Sequence, residues 1–142
     1  MSKQVVLLDT SAAVALCVED HVHHRATTMA LRGRRLGLAG HAVFETFSVL
    51  TRLPPPARRS PMVVSRLLSA NFPESRFLSP IGAQGLVDRL SEGEIAGGSV
   101  YDALVGSAAK EHGLTLITLD RRALDTYRVL GVEVELLATA DQ

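Results

Sequence analysis

The chain has 142 residues, 46% of them hydrophobic, and fifteen basic side chains balance fifteen acidic ones for a formal charge of zero. That length suits one domain over residues 1–142, burying roughly 70% of its unfolded surface, and zero net charge excludes a molecule-wide field that draws nucleic acid. No apolar run is long enough to span a bilayer, the N-terminus lacks a signal-peptide pattern, and a lone Cys17 excludes an internal disulfide. We therefore expect a cytoplasmic protein without membrane association, with Cys17 as a small buried hydrophobe.

Val5-Val6-Leu7-Leu8 reads as a short strand buried on both faces, the kind found in the middle of a parallel sheet. It ends in Asp9, Thr10 and Ser11, ahead of a helical run from Ala12 to Val18. Asp9 thus stands at the carboxyl end of a central strand, where open α/β sheets bind ligands. A helix cap is the alternative reading of the same three residues.

A second helix is expected from Asp20, as cap, to Leu31. His21, His23 and His24 lack partners at zinc-site spacing and read as a polar helix start. Gly33 closes that helix, and Leu36–Ala39 suggests a second strand. His41 to Arg52 is an amphipathic helix whose stripe of Val43, Phe44, Phe47 and Leu50 should face the core. Glu45 lies off that stripe, aligned with His41, Ser48, Val49 and Arg52.

Pro54-Pro55-Pro56 makes a stiff turn, and Pro61 to Asn71 is a helix with proline in its first turn and Val63, Val64, Leu67 and Leu68 as its apolar side. Between Glu45 and Glu74 there is no acid, whereas Arg52, Arg58, Arg59 and Arg66 fall there; Arg32, Arg34 and Arg35 form a smaller cluster. Arginine suits bidentate phosphate contacts, although such clusters also serve as ordinary solvated surface.

Phe77-Leu78 suggests a brief third strand, Gly82 to Leu90 a helix, and Gly93 to Gly98 a loop. Ser99 and Asp102 have the spacing of a capping box, which gives Asp102 a purely structural reading. The helix they open stops at Gly113. Leu114 to Leu119 is a second buried strand, ending in Asp120. A short helix from Leu124 to Leu130 and an alternating edge strand, Val132 to Leu136, complete the chain.

Alternating strands and helices imply a three-layer α/β/α sandwich around a central, mainly parallel sheet of about five strands. If the two buried strands are neighbours, Asp9, Asp102 and Asp120 meet at one rim. Three carboxylates there repel unless a cation sits between them, and an all-oxygen donor set favours Mg²⁺ or Mn²⁺ over zinc.

These motifs resemble the PIN-domain ribonucleases, specifically VapC-type toxins of bacterial toxin–antitoxin pairs. The resemblance covers nearly the whole chain and rests on Leu8-Asp9-Thr10-Ser11-Ala12, Glu45, Tyr101-Asp102-Ala103-Leu104 and Ile117-Thr118-Leu119-Asp120-Arg121-Arg122. It implies that Asp9, Asp102 and Asp120 hold the metal, with Glu45 the fourth catalytic acid, often acting through water. Thr10 or Ser11 and Thr118 resemble the hydroxyls that orient the site. Some relatives carry a further acid where Arg122 and Ala123 stand here, which puts a second tightly held metal in question.

The resemblance further implies Mg²⁺-dependent hydrolysis of phosphodiester bonds in structured RNA, in tRNA or rRNA loops, leaving 5′-phosphate and 3′-hydroxyl ends. Arg52, Arg58, Arg59 and Arg66 become candidates for RNA or antitoxin contact, since few aromatic side chains offer stacking platforms. A VapB-type antitoxin is the implied partner, with the helices from Phe44 to Leu68 as its groove, and a homodimer is expected. The alternative is a non-catalytic PIN-like module that binds RNA or antitoxin without cutting. A haloacid-type phosphatase fits less well because Ser11 stands where its second acid belongs, and a receiver domain lacks its paired acids and late lysine.

Overall fold

In a computed structural model the protein is described over residues 4–137. Four strands form one parallel sheet in the order β2-β1-β3-β4, where β1 is Val5–Leu8, β2 Arg35–Leu38, β3 Leu116–Thr118 and β4 Val134–Leu136. Seven α-helices connect and cover it: α1 Thr10–Cys17, α2 His24–Leu31, α3 Ala42–Thr51, α4 Pro61–Asn71, α5 Pro80–Glu92, α6 Ser99–Glu111 and α7 Leu124–Val129. The chain leaves β1 for β2 on one side and later returns to β3 on the other. The strand order therefore reverses at the β1/β3 seam, the place where such sheets open a crevice.

Alternate residues of the inner strands feed two cores. Val6 and Leu8 of β1 with Ile117 of β3 meet α1, α2, α3 and α4, whereas Leu7 and Leu116 meet α6 and α7. Val6, Leu7, Leu8, Leu116 and Ile117 are all fully buried, each contributing about 1.5–3 kcal/mol of apolar burial. The three-layer expectation holds, with four strands rather than five.

The missing strand has a physical explanation. Phe77 is half exposed and joins no strand; instead the backbone just before it runs along β2. The N–H groups of Glu74 and Arg76 donate to the carbonyls of Leu36 and Leu38 at 3.0 and 3.2 Å, but only Ala39 and Arg76 form a parallel bridge. Gly37 permits this approach, because a Cβ there would drive into the Glu74 backbone.

Helix boundaries differ from expectation where a cap was misjudged. α2 begins at His24, after a turn in which the His23 N–H donates to His21 Nδ1, and Asp20 caps nothing there. α6 is capped by Gly98 without a side-chain bond, so Ser99 and Asp102 form no capping box. The fully buried residues of α3 are Ala42, Thr46 and Leu50, with Val43 and Phe47 packed against the core as expected, while Phe44 is 61% exposed. Cys17 is a buried free thiol, as expected. No helix of the described residues is long and apolar enough to cross a membrane.

Candidate active site

All four candidate acids lie at helix N-terminal ends. Asp9 is the N-cap of α1 and Asp120 caps a single 3-10 turn, Arg121–Ala123. Glu45 and Asp102 lie in the first turns of α3 and α6. Capping and acid clustering are therefore one arrangement, since helix N-terminal dipoles partly offset the repulsion of carboxylates brought together. These four side chains, with Thr10, Ser11, Val105 and Tyr127, line one cavity of about 190 Å³.

Asp9 is the most tightly held. It is only 4% exposed. Its Oδ1 accepts from the Ser11 hydroxyl at 2.6 Å and from the Ala12 N–H at 3.1 Å, and its Oδ2 accepts from the Tyr127 hydroxyl at 2.9 Å. Burial raises the Asp9 pKa, and these donors, Ser11 foremost, pull it back. The Ser11 oxygen also accepts from the Leu119 N–H at 2.9 Å, tying the α1 start to the end of β3. Buried Thr118 accepts the Asp120 N–H at 3.0 Å, and Thr10 donates to Glu45 at 2.9 Å. Each of the three hydroxyls thus fixes a neighbouring element of the acid rim.

Asp102 is the electrostatically strained member. Burial first, then the charges of Asp120, Asp9 and Glu45, push its pKa up to about 6, against a smaller opposing pull from Arg122. Such a set, all oxygen and poorly neutralised, is chemically suited to a hard divalent cation. Yet among the described residues no three His, Cys, Asp or Glu side chains stand close enough to hold a metal between them. Mg²⁺ ordinarily binds through one or two carboxylates and keeps several waters, so a shared cavity without a closed protein cage fits that ion.

Tyr127 was missed in the sequence, where α7 is simply a short helix. Burial and the adjacent Asp9 charge drive its phenol pKa far upward, so it stays protonated and donates. Its ring packs so closely that a Cβ on Gly106 would come within 2.9 Å of Tyr127 Cδ1. A buried tyrosine hydroxyl requires a partner, and that requirement was the available signal. In a Tyr127→Phe protein Asp9 loses one donor while the ring remains. We expect about 1–3 kcal/mol lower stability and an acidic limb of any pH–activity profile displaced to higher pH, since the lost bond lowers the Asp9 pKa. Thermal melts and a pH series check this, and unchanged values in both would deny Tyr127 the positioning role.

The arginines divide. Arg52 lines a second cavity of about 390 Å³ with Thr10, His41, Phe44, Glu45, Ser48 and Val49, the polar stripe expected of α3. Arg66 is exposed on α4, and Arg58 Nε donates to the Leu53 carbonyl at 2.8 Å. Arg59 is half-buried: its Nη2 donates to the Cys17 carbonyl at 2.9 Å, and its side chain lines a surface cavity with Glu19, Asp20 and Pro56. Arg34 and Arg35 are paired with Glu135 and Glu74.

The aromatic side chains are few but gathered. His41 stacks on Tyr101 at 5.5 Å, and Phe44 lies 6.2 Å from both His41 and Phe77. Phe44, Phe77 and Tyr101 are each more than half exposed.

A family model described as PIN domain matches residues 6–129. Ribonuclease VapC27 of Mycobacterium tuberculosis (strain ATCC 25618 / H37Rv) is 45% identical over 136 residues, covering 96% of this chain and 99% of its own. Ribonuclease VapC40 of Mycobacterium tuberculosis (strain CDC 1551 / Oshkosh) is 47% identical over 131 residues, covering 91% and 96%. Among solved structures, VapBC2 from Rickettsia felis, bound to a DNA fragment from its promoter, superposes with a TM-score of 0.69 at 14% identity, covering 95% of this chain and 100% of that one. PAE2754 from Pyrobaculum aerophilum gives 0.56 at 22% identity, covering 94% and 92%. At those identities the two structures speak to the fold.

Proposed function

The chain belongs to the PIN domain family, among the VapC ribonucleases, and from that premise we propose that it is an Mg²⁺-dependent endoribonuclease, the toxin of a toxin–antitoxin pair. The observation that carries the metal-dependent reading is the cavity in which Asp9, Glu45, Asp102 and Asp120, from four separate segments, face one another at the β1/β3 seam. Mn²⁺ satisfies the same donors.

When bound, the ion supplies Lewis-acid activation of the phosphodiester and of the attacking water. Asp9, Asp102 and Asp120 would hold it, in part through the waters that Mg²⁺ retains, with the oxygen lone pairs their present hydrogen bonds leave free. Ser11 and Tyr127 fix the Asp9 carboxylate, so that little reorganisation accompanies the reaction. Glu45, held by the Thr10 hydroxyl at the edge of the same cavity, would accept the proton of the attacking water. The substrate is single-stranded RNA in a structured loop, whose unstacked bases would stack on the grouped, exposed rings of Phe44, Tyr101 and Phe77, the first of which shares a cavity with Glu45.

Incubation with a structured RNA tests this reading. Cleavage in Mg²⁺ should disappear in EDTA, and the products should carry 5′-phosphate and 3′-hydroxyl ends. Cyclic 2′,3′-phosphate ends formed in EDTA would overturn it.

A VapB-type antitoxin completes the proposal. Its groove lies on α3 and α4, which pack together and leave Phe44, Met62 and Val63 at least half exposed. A basic side chain of the partner would be drawn into the acid cavity. Homodimerisation, like a cytoplasmic site of action, belongs to the same proposal.

A further inference from the structure

Beside the acid cavity lies another of about 390 Å³ that shares three of its walls: Thr10, Ser11 and Asp120 line both. Beyond that shared rim carboxylates give way to hydrogen-bond donors and one guanidinium. The remaining polar groups are His21, His23 and Arg122, over an apolar floor of Val14, Val49 and Leu119.

The histidine geometry is specific. His21 Nδ1 accepts the His23 N–H at 3.0 Å, so a neutral His21 ring carries its proton on Nε2 and can only donate there. The two rings stand 5.7 Å apart at 50°. Burial, with the neighbouring His23 and His24, lowers the His21 pKa and keeps that tautomer at neutral pH. The Arg122 side chain is 95% exposed, and its Nε lies 3.6 Å from Asp120 Oδ1. A contact of that length at the surface is weak and leaves the guanidinium able to turn toward another anion.

We infer that this cavity is a nucleotide subsite for single-stranded RNA, in which His21 and Arg122, with His23 alongside, grip the phosphate next to the scissile one while Val14, Val49 and Leu119 receive its base or ribose. The volume is within the range of small-molecule sites, and the shared rim makes the two cavities one track for a strand. The inference rests on the ribonuclease reading and adds the path of the strand. The cavity is not legible in residue order, because His21 and His23 precede α2 and Arg122 follows β3, about a hundred residues later.

The test is the affinity of a fluorescein-labelled ten-nucleotide single-stranded RNA, read by anisotropy with Ca²⁺ in place of Mg²⁺, over a series of salt concentrations. Arg122→Ala and the double variant His21→Ala/His23→Ala should each weaken binding by about tenfold. For Arg122→Ala the slope of log affinity against log salt should also fall by about one. The Arg122 substitution removes a solvated side chain and cannot be dismissed as misfolding. If wild-type protein binds and cleaves RNA while both variants bind it equally well, the subsite is wrong and the ribonuclease reading survives. If wild-type protein binds no RNA, both fall. Variants that keep RNA affinity but lose a co-expressed antitoxin would assign the cavity to a protein ligand and overturn the inference.

Discussion

An Asp9→Asn protein should fold, bind RNA and fail to cut it. The substitution keeps the shape of the side chain and removes its charge at the least exposed of the four acids. The amide oxygen can still accept from Ser11 and Ala12, as Oδ1 does now, and the amide nitrogen can donate to the Tyr127 oxygen. Retained geometry is therefore expected, with thermal stability equal to or above that of wild type because a buried anion has gone. Mg²⁺-dependent cleavage should drop by about 10²–10³-fold or more, the scale on which one preorganised electrostatic contact acts. Rates on a single RNA with and without EDTA measure this. Equal cleavage by both proteins, indifferent to EDTA, would remove the acid cavity from the chemistry, and binding with no cleavage by either would leave a module that binds without cutting.

Much of the site could be read from residue order because its acids lie at boundaries between elements. Asp9 and Asp120 follow runs that had to be buried strands, and pairing of those strands brings the two carboxylates to one rim. Glu45 was harder, since its distinguishing mark was only its place off the apolar stripe of α3. Of that stripe Leu50 is buried and Val43 and Phe47 pack against the core, while tertiary packing adds Ala42 and Thr46 and leaves Phe44 to solvent. Asp102 resembled half of a capping box, but the helix takes Gly98 as its cap and the carboxylate turns to the other acids.

What stayed hidden depends on partners far apart in the chain. Arg34 reaches Glu135 across 101 positions, Arg59 reaches the Cys17 carbonyl across 42, and Tyr127 reaches Asp9 across 118. Local propensity and spacing carry no information about such contacts. The missing fifth strand is of the same kind. Nothing in Phe77-Leu78 tells that Gly37 admits the Glu74–Arg76 backbone first.

Asp102→Asn should stabilise the metal-free protein while disabling it. The Asp102 pKa rises from 3.8 in a free side chain to about 6 in the folded state. Between those pH values the folded protein binds the proton more readily than the unfolded one. This group's contribution to stability therefore falls as pH rises from about 4 to about 6 and stays unfavourable above that. At pH 7.5 the full repulsion from Asp120, Asp9 and Glu45 is present, and an amide relieves it.

The group is partly solvated, so the gain is discounted to about 1 kcal/mol, or roughly 3 °C in Tm for a chain of this size. The advantage should shrink below about pH 5, where wild-type Asp102 is itself protonated. Adding Mg²⁺ should reverse the order, because ligand binding raises the wild-type Tm and the variant binds the ion more weakly. Cleavage by the variant should be severely reduced throughout. Melting curves at pH 4.5 and pH 7.5, with EDTA and with Mg²⁺, separate the possibilities. A variant that melts lower than wild type at both pH values in EDTA would mean that Asp102 supports the fold directly. A cavity strained by its own charges, and relieved by a cation, requires the opposite.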